Sequence, residues 1–172
     1  VTLVVSDCVV THNTGANVPE FDFTQSHAGG TGNVNQFLRN QDAVHANAVL
    51  DVSIEDSILA YCRSDDGFIW MIGNGTSADT ERLTLRHTAV INPTDEGLLW
   101  QNMTASSRFL SEDSVWLSTT TPLLLQPASA GAPAITLRRS IVAGDSMCIY
   151  MDTSYFAGTF SLQDVTLART SG

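Results

Sequence analysis

Four carboxylates in two matching turns are the residues best placed to do chemistry. Ser64-Asp65-Asp66-Gly67 precedes the apolar block Phe68-Ile69-Trp70-Met71, and Thr94-Asp95-Glu96-Gly97 precedes Leu98-Leu99-Trp100. If the two turns stack, Asp65, Asp66, Asp95 and Glu96 come together, with Asp145 further along the same stack. Crowded carboxylates either raise one another's pKa, giving a general acid and base, or recruit a hard cation such as Ca²⁺. An acidic residue before glycine also has a plain use, closing a turn through its own side chain. The sequence leaves all three open: catalysis by these four residues, a weak Ca²⁺ site on the same four, or turn closure. No other cofactor is expected.

The tryptophans form a second set. Trp70, Trp100 and Trp116 could offer flat faces to sugar rings, and aromatic pairs serve equally well inside a core. Aligning the two blocks on their tryptophans puts Trp70 and Trp100 in one slot of adjacent units, about 4.8 Å apart. His12, His27, His45 and His87 lack metal spacing, and the three cysteines Cys8, Cys62 and Cys148 suit neither zinc nor a disulfide framework. The cysteines are read as small buried side chains. Ser57, Thr88, Ser114 and Ser140 make a column of hydroxyls without the sharp elbow and base that a serine nucleophile needs.

These residues must be positioned by a repeat. Val52-Ser53-Ile54-Glu55-Asp56-Ser57-Ile58-Leu59 returns as Leu83 to Val90, as Phe109 to Trp116, as Ile135 to Val142 and, more faintly, as Phe160 to Leu167. Taking Ser57, Thr88, Ser114, Ser140 and Val165 as one slot, the steps are 31, 26, 26 and 25 residues. Val1 to Val10 fits the same frame. The second apolar block recurs as Leu123-Leu124-Leu125 and Cys148-Ile149-Tyr150-Met151. Each unit is thus two short β-rich blocks between Gly/Asp/Thr/Pro turns. Units this short cannot bury a core alone and must stack. Stacking in register predicts that Leu83, Leu85, Ile135, Leu137 and Leu162 share one interior.

Charge placement checks that register independently. One slot runs Glu55, Arg86, Glu112, Arg138, Gln163, and its neighbour runs Asp56, His87, Asp113, Arg139, Asp164. Signs alternate along both, given a protonated His87. Like charges one layer apart repel and unlike ones attract, so alternation is what stacking would select.

The turn Asp65-Asp66-Gly67-Phe68 and the strands at Leu83 and Ile135 resemble the right-handed parallel β-helix repeats of the pectate-lyase-like superfamily. The resemblance covers roughly residues 50–167 and, more loosely, 1–23. It implies an all-β, right-handed parallel β-helix (β-solenoid) of about six rungs with 25–31 residues per rung. It also implies an extracellular or cell-surface setting and a polysaccharide partner. Members of the superfamily include lyases, hydrolases, tailspike depolymerases and adhesins, so fold does not choose among them. The lyase and hydrolase motifs are missing: there is no Gly-His-Gly, no Asn-Thr-Asp and no lysine at all.

Composition bounds the rest. With 172 residues, 43% hydrophobic and 15% charged, the chain is too apolar for disorder and has no apolar run long enough for a membrane helix. Its 8 basic residues, all arginine, against 18 acidic give a net charge of −10, which argues against nucleic acid as a partner. The domain reading is one β-helix over 1–172 in which 24–47, a stretch rich in Gln, Asn, His, Gly and Ala, is either an excursion loop, the favoured reading, or a degenerate rung. Because the chain opens and closes on strands, it is expected to be a segment of a larger protein. Two functions remain. One is a non-catalytic scaffold or adhesion module, carbohydrate-binding through the tryptophans or docked to neighbouring domains. The other is a polysaccharide lyase or glycoside hydrolase.

Overall fold

Short blocks that alternate apolar and polar residues form strands with one face in and one face out. A computed structural model describes residues 1–11, 21–22, 37–41, 49–60, 68–73, 80–92, 96–128, 131–152, 154 and 156–170. Its strands form three parallel sheets of six strands each. Sheet A runs β1 (Thr2–Ser6), β5 (Val49–Glu55), β8 (Thr80–Arg86), β11 (Arg108–Glu112), β14 (Ala134–Arg138) and β17 (Thr159–Gln163). Sheet B runs β2 (Val9–Thr11), β6 (Ile58–Ala60), β9 (Ala89–Asn92), β12 (Val115–Ser118), β15 (Ile141–Gly144) and β18 (Thr166–Arg169). Sheet C runs β3 (Phe21–Asp22), β4 (Leu38–Gln41), β7 (Ile69–Ile72), β10 (Leu98–Met103), β13 (Leu123–Pro127) and β16 (Ile149–Met151). Parallel neighbours cannot be joined by a hairpin. Apart from β3 and β4, which are consecutive in the chain and adjacent in sheet C, each strand is separated from the next one in its sheet by strands of the other two sheets.

The register matches the repeat read from sequence. Val52, Leu83, Phe109, Ile135 and Phe160 are successive partners, as are Ile54, Leu85, Ser111, Leu137 and Leu162. Leu83, Leu85, Ile135 and Leu137 are fully buried, and each such side chain contributes about 1.5–3 kcal/mol. Leu162 departs from the expectation, because it is 43% exposed. It has Leu137 on one side, and among the described residues no strand pairs with β17 on the other.

One bend joins sheet A to sheet B in every unit. Asp7, Asp56, His87, Asp113, Arg139 and Asp164 all adopt positive φ, between 47° and 55°. Aspartate tolerates this left-handed conformation better than most residues, and it fills four of the six positions. The following hydroxyl stitches layers together. Ser114 Oγ donates to the Glu112 carbonyl (2.7 Å) and accepts the Thr88 N–H (3.3 Å). Ser140 Oγ repeats this with the Arg138 carbonyl (2.9 Å) and the Ser114 N–H (3.3 Å). Both side chains are buried, so the column is structural.

Within the segment 24–47, Leu38–Gln41 form β4, paired with β7 on one side and β3 on the other. Those residues therefore belong to the stack rather than to an excursion. Phe37 beside them is buried, and its N–H donates to the Phe68 carbonyl at 2.9 Å; residues 24–36 and 42–47 lie outside the described residues. Sheet C is consequently offset by one strand: β3 lies beyond the layer of β1, and β16 belongs to the layer before β17 and β18.

Candidate functional site

The outer face of sheet A and the bend beside it carry a ladder of ion pairs. In-register pairing brings Glu55, Arg86, Glu112 and Arg138 into one line. Arg86 donates to Glu55 (3.1 Å) and to Glu112 (3.2 Å), and Arg138 reaches Glu112 at 2.7 Å. In the adjacent line, His87 lies 3.4 Å from Asp56 and 3.6 Å from Asp113, and Arg139 bonds Asp113 at 2.7 Å while also touching Glu112. Arg82 faces Asp51 at 3.5 Å.

Glu112 is the hub. Hydrogen bonds from Arg138, and then from Arg139 and Arg86, outweigh its desolvation and lower its pKa to about 2. Arg139 holds Asp113 below the usual carboxylate range. The same contacts raise the arginines: Glu112 and then Glu55 for Arg86, Asp113 and then Glu112 for Arg139. A guanidinium with a raised pKa is less available as a neutral base, and a carboxylate with a lowered pKa is less available as a protonated acid. This constellation is built to hold charge in place, not to move protons.

Of the four carboxylates singled out from sequence, Asp65, Asp66 and Asp95 lie outside the described residues. Glu96 is half-buried, and its carbonyl accepts the Phe68 N–H at 2.9 Å, while the Gly97 carbonyl accepts that of Ile69 at 2.9 Å. The ends of the two turns thus stack one over the other. Among the described residues, no group of three or more His, Cys, Asp or Glu could hold a metal ion. No helix among them is long and apolar enough to cross a membrane. Cys8 and Cys148 are half-buried free thiols rather than fully buried ones, and Cys62 lies outside the described residues.

The tryptophans separate. Trp70 pairs with Leu99, and Trp100 pairs with Met71, so the two do not share a slot. A shift of one residue sends them to opposite faces. Trp100 is fully buried, its Nε1–H donating to Glu81 Oε2 at 3.2 Å, and Glu81 is itself only 3% exposed. Trp116 is fully buried and donates to Ser111 Oγ at 2.9 Å. Phe109 sits between the two indoles in edge-on contacts, with centroids 6.4 Å from Trp100 and 5.9 Å from Trp116. Neither indole presents a face to a ligand in solvent.

Trp70 is half-buried on the outer face of sheet C. Its column continues through Leu99 and Leu124 to Tyr150, which is 39% exposed. Beside it, Gln101 donates to Gln126 at 2.9 Å, in line with Ile72. This face combines aromatic and aliphatic surface with amide donors and acceptors. Tyr150, Gln101 and Gln126 were not singled out from sequence; they become visible only once the register of the second block is known.

The chain matches no known protein family, no curated protein and no solved structure.

Proposed function

We propose that the protein is a right-handed parallel β-helix of the pectate-lyase-like kind, acting as a non-catalytic scaffold or adhesion module. The observation that carries this reading is the Glu112 hub. Arg82, Arg86, Arg138 and Arg139 pair with carboxylates along the stacking axis, while Arg108 donates to the Ala105 and Ser107 carbonyls. The shifts on Glu112 and Arg139 run away from acid–base use. Such a ladder resists shear between layers and does not itself offer a poised base. By the resemblance of its turns and strands, its setting is extracytoplasmic.

The outer face of sheet C supports carbohydrate binding as a part of this role. Trp70 and Tyr150 supply flat apolar surface, and Gln101 and Gln126 supply the hydrogen bonds that sugar hydroxyls need. Alanine at Trp70 and Tyr150 is expected to abolish retention on any polysaccharide that holds the wild type. The scaffold reading itself is tested by product release from a panel of acidic polysaccharides with Ca²⁺ supplied. No turnover is expected from the wild type. Turnover that disappears in the Asp65→Asn/Asp95→Asn double variant would establish the lyase or hydrolase alternative, with Asp65, Asp66, Asp95 and Glu96 as its acids or Ca²⁺ ligands.

A further inference from the structure

We propose that the outer face of sheet C binds a neutral, unbranched glycan laid along the stacking axis, with Asn102 bonding its hydroxyls and Asp152 excluding acidic sugars. This deepens the carbohydrate-binding reading above and rests on it.

Register gives the direction. Trp70, Leu99, Leu124 and Tyr150 are successive partners, so the apolar column crosses the strands and runs from layer to layer. Its two aromatic rings belong to strands three layers apart, about 14 Å at about 4.8 Å per layer. A disaccharide is too short to lie on both, whereas a longer chain along the column covers both at once. The middle of the column, Leu99 and Leu124, is aliphatic and half-buried, a surface on which the apolar faces of sugar rings can rest.

The polar column beside it supplies the hydrogen bonds. Gln101 donates to Gln126 at 2.9 Å, which leaves the Gln101 oxygen and the Gln126 amide hydrogens to the outside. Asp152 continues this column: its N–H donates to the Leu125 carbonyl at 3.1 Å, and Oδ1 accepts the Ser154 N–H at 3.0 Å. Oδ2 is left to accept from a ligand. The register of β10 slips between Gln101 and Met103, where Asn102 takes a positive φ of 55°. Such a bulge re-aims a side chain, and Asn102 is exposed beside Gln101.

Charge selects the class of sugar. Among the described side chains of this face, the one charge is the Asp152 carboxylate. Arg39 and Asp22 hold the two register positions beyond Trp70, one charge of each sign. The chain's net charge of −10 adds a field that repels polyanions. A uronate or sulfated chain would set its own negative charges against Asp152. The hydroxyls of a neutral chain instead donate to that carboxylate in charge-assisted hydrogen bonds.

The test titrates the full chain, at low salt, with hexamers of β-1,4-linked glucose, xylose and mannose, and with hexamers of galacturonate and mannuronate. Tryptophan fluorescence reports binding, because Trp100 and Trp116 are fully buried and Trp70 is the indole at this face. At least one neutral hexamer is expected to bind about tenfold more tightly than either acidic hexamer and than its own disaccharide. Asp152→Asn keeps an oxygen for the Ser154 N–H and should close most of the gap between neutral and acidic hexamers. Asn102→Gly keeps the left-handed backbone and should weaken the neutral hexamer about fivefold. Tighter binding of an acidic hexamer, or an unchanged preference in Asp152→Asn, overturns the neutral class and leaves the carbohydrate reading standing. A disaccharide as tight as its hexamer overturns the placement along the axis, and full affinity in Asn102→Gly overturns the role of Asn102. No binding of any sugar overturns this inference and the carbohydrate reading together, while the turnover assay decides the scaffold reading separately.

Discussion

Replacing Trp116 with phenylalanine tests whether sheets A and B are joined across the core as described. The indole of β12 donates to Ser111 Oγ of β11 at 2.9 Å, and both residues are fully buried. The substitution removes that hydrogen bond, at a net cost of about 1 kcal/mol. Ser111 Oγ keeps its contact with Ser140 Oγ at 3.4 Å, so it is not left orphaned. Losing one ring of the indole leaves a cavity among Phe109 and its neighbours, adding about 1–2 kcal/mol. The expected total is about 2–3 kcal/mol, or a fall in Tm of about 5–10 °C for a chain of this size. Ser111→Ala instead strands the indole N–H in the core, at about 1–3 kcal/mol. The double variant should lose about 1 kcal/mol less than the two single losses together, because the shared bond is removed once. Urea unfolding followed by far-UV circular dichroism, with slopes compared to test for two-state behaviour, gives these values. Additivity within about 0.5 kcal/mol, or a phenylalanine variant as stable as the wild type, refutes the contact across the core.

The remaining predictions concern the ladder. Arg138→Glu sets a carboxylate beside Glu112, turning an attraction into a repulsion, and should lower Tm by a few degrees at low salt and by less at 1 M salt. A loss that ignores salt would show that Arg138 acts through packing instead. Glu112 also predicts a pH dependence: its folded pKa, about 2, lies below its ordinary value of 4.5. The stabilisation is therefore fully present above the unfolded pKa and drains away as pH falls through the folded one. Comparing Tm of the wild type and Glu112→Gln over that acid range should show the two curves converging as pH drops; parallel curves contradict the assignment.

Much of the stack was legible in the sequence because it is encoded locally and repeatedly. The alternation of Val52, Ile54, Leu83 and Leu85 states which face is buried. The recurrence of Ser57, Thr88, Ser114 and Ser140 states the register of the following layer. The alternating signs from Glu55 to Arg138 confirm it, since only neighbours in space have reason to alternate. Those relations hold between equivalent positions of a repeat, and counting residues recovers them. Other features depend on closure in three dimensions. The loop between the two blocks of a unit varies in length, so the sequence offered two tryptophans that match by eye but differ by one residue in register. That single step buries Trp100 and turns Trp70 outward. The hydrogen bond from Trp100 to Glu81 joins sheet C to sheet A across the interior, and no spacing within either strand announces it. Leu162 follows its column faithfully yet is exposed, because burial needs a neighbour on both sides and β17 has one among the described residues. Sequence by itself determined which residues of sheets A and B stack on which; tertiary structure alone decided the register of sheet C and what faces what across the core.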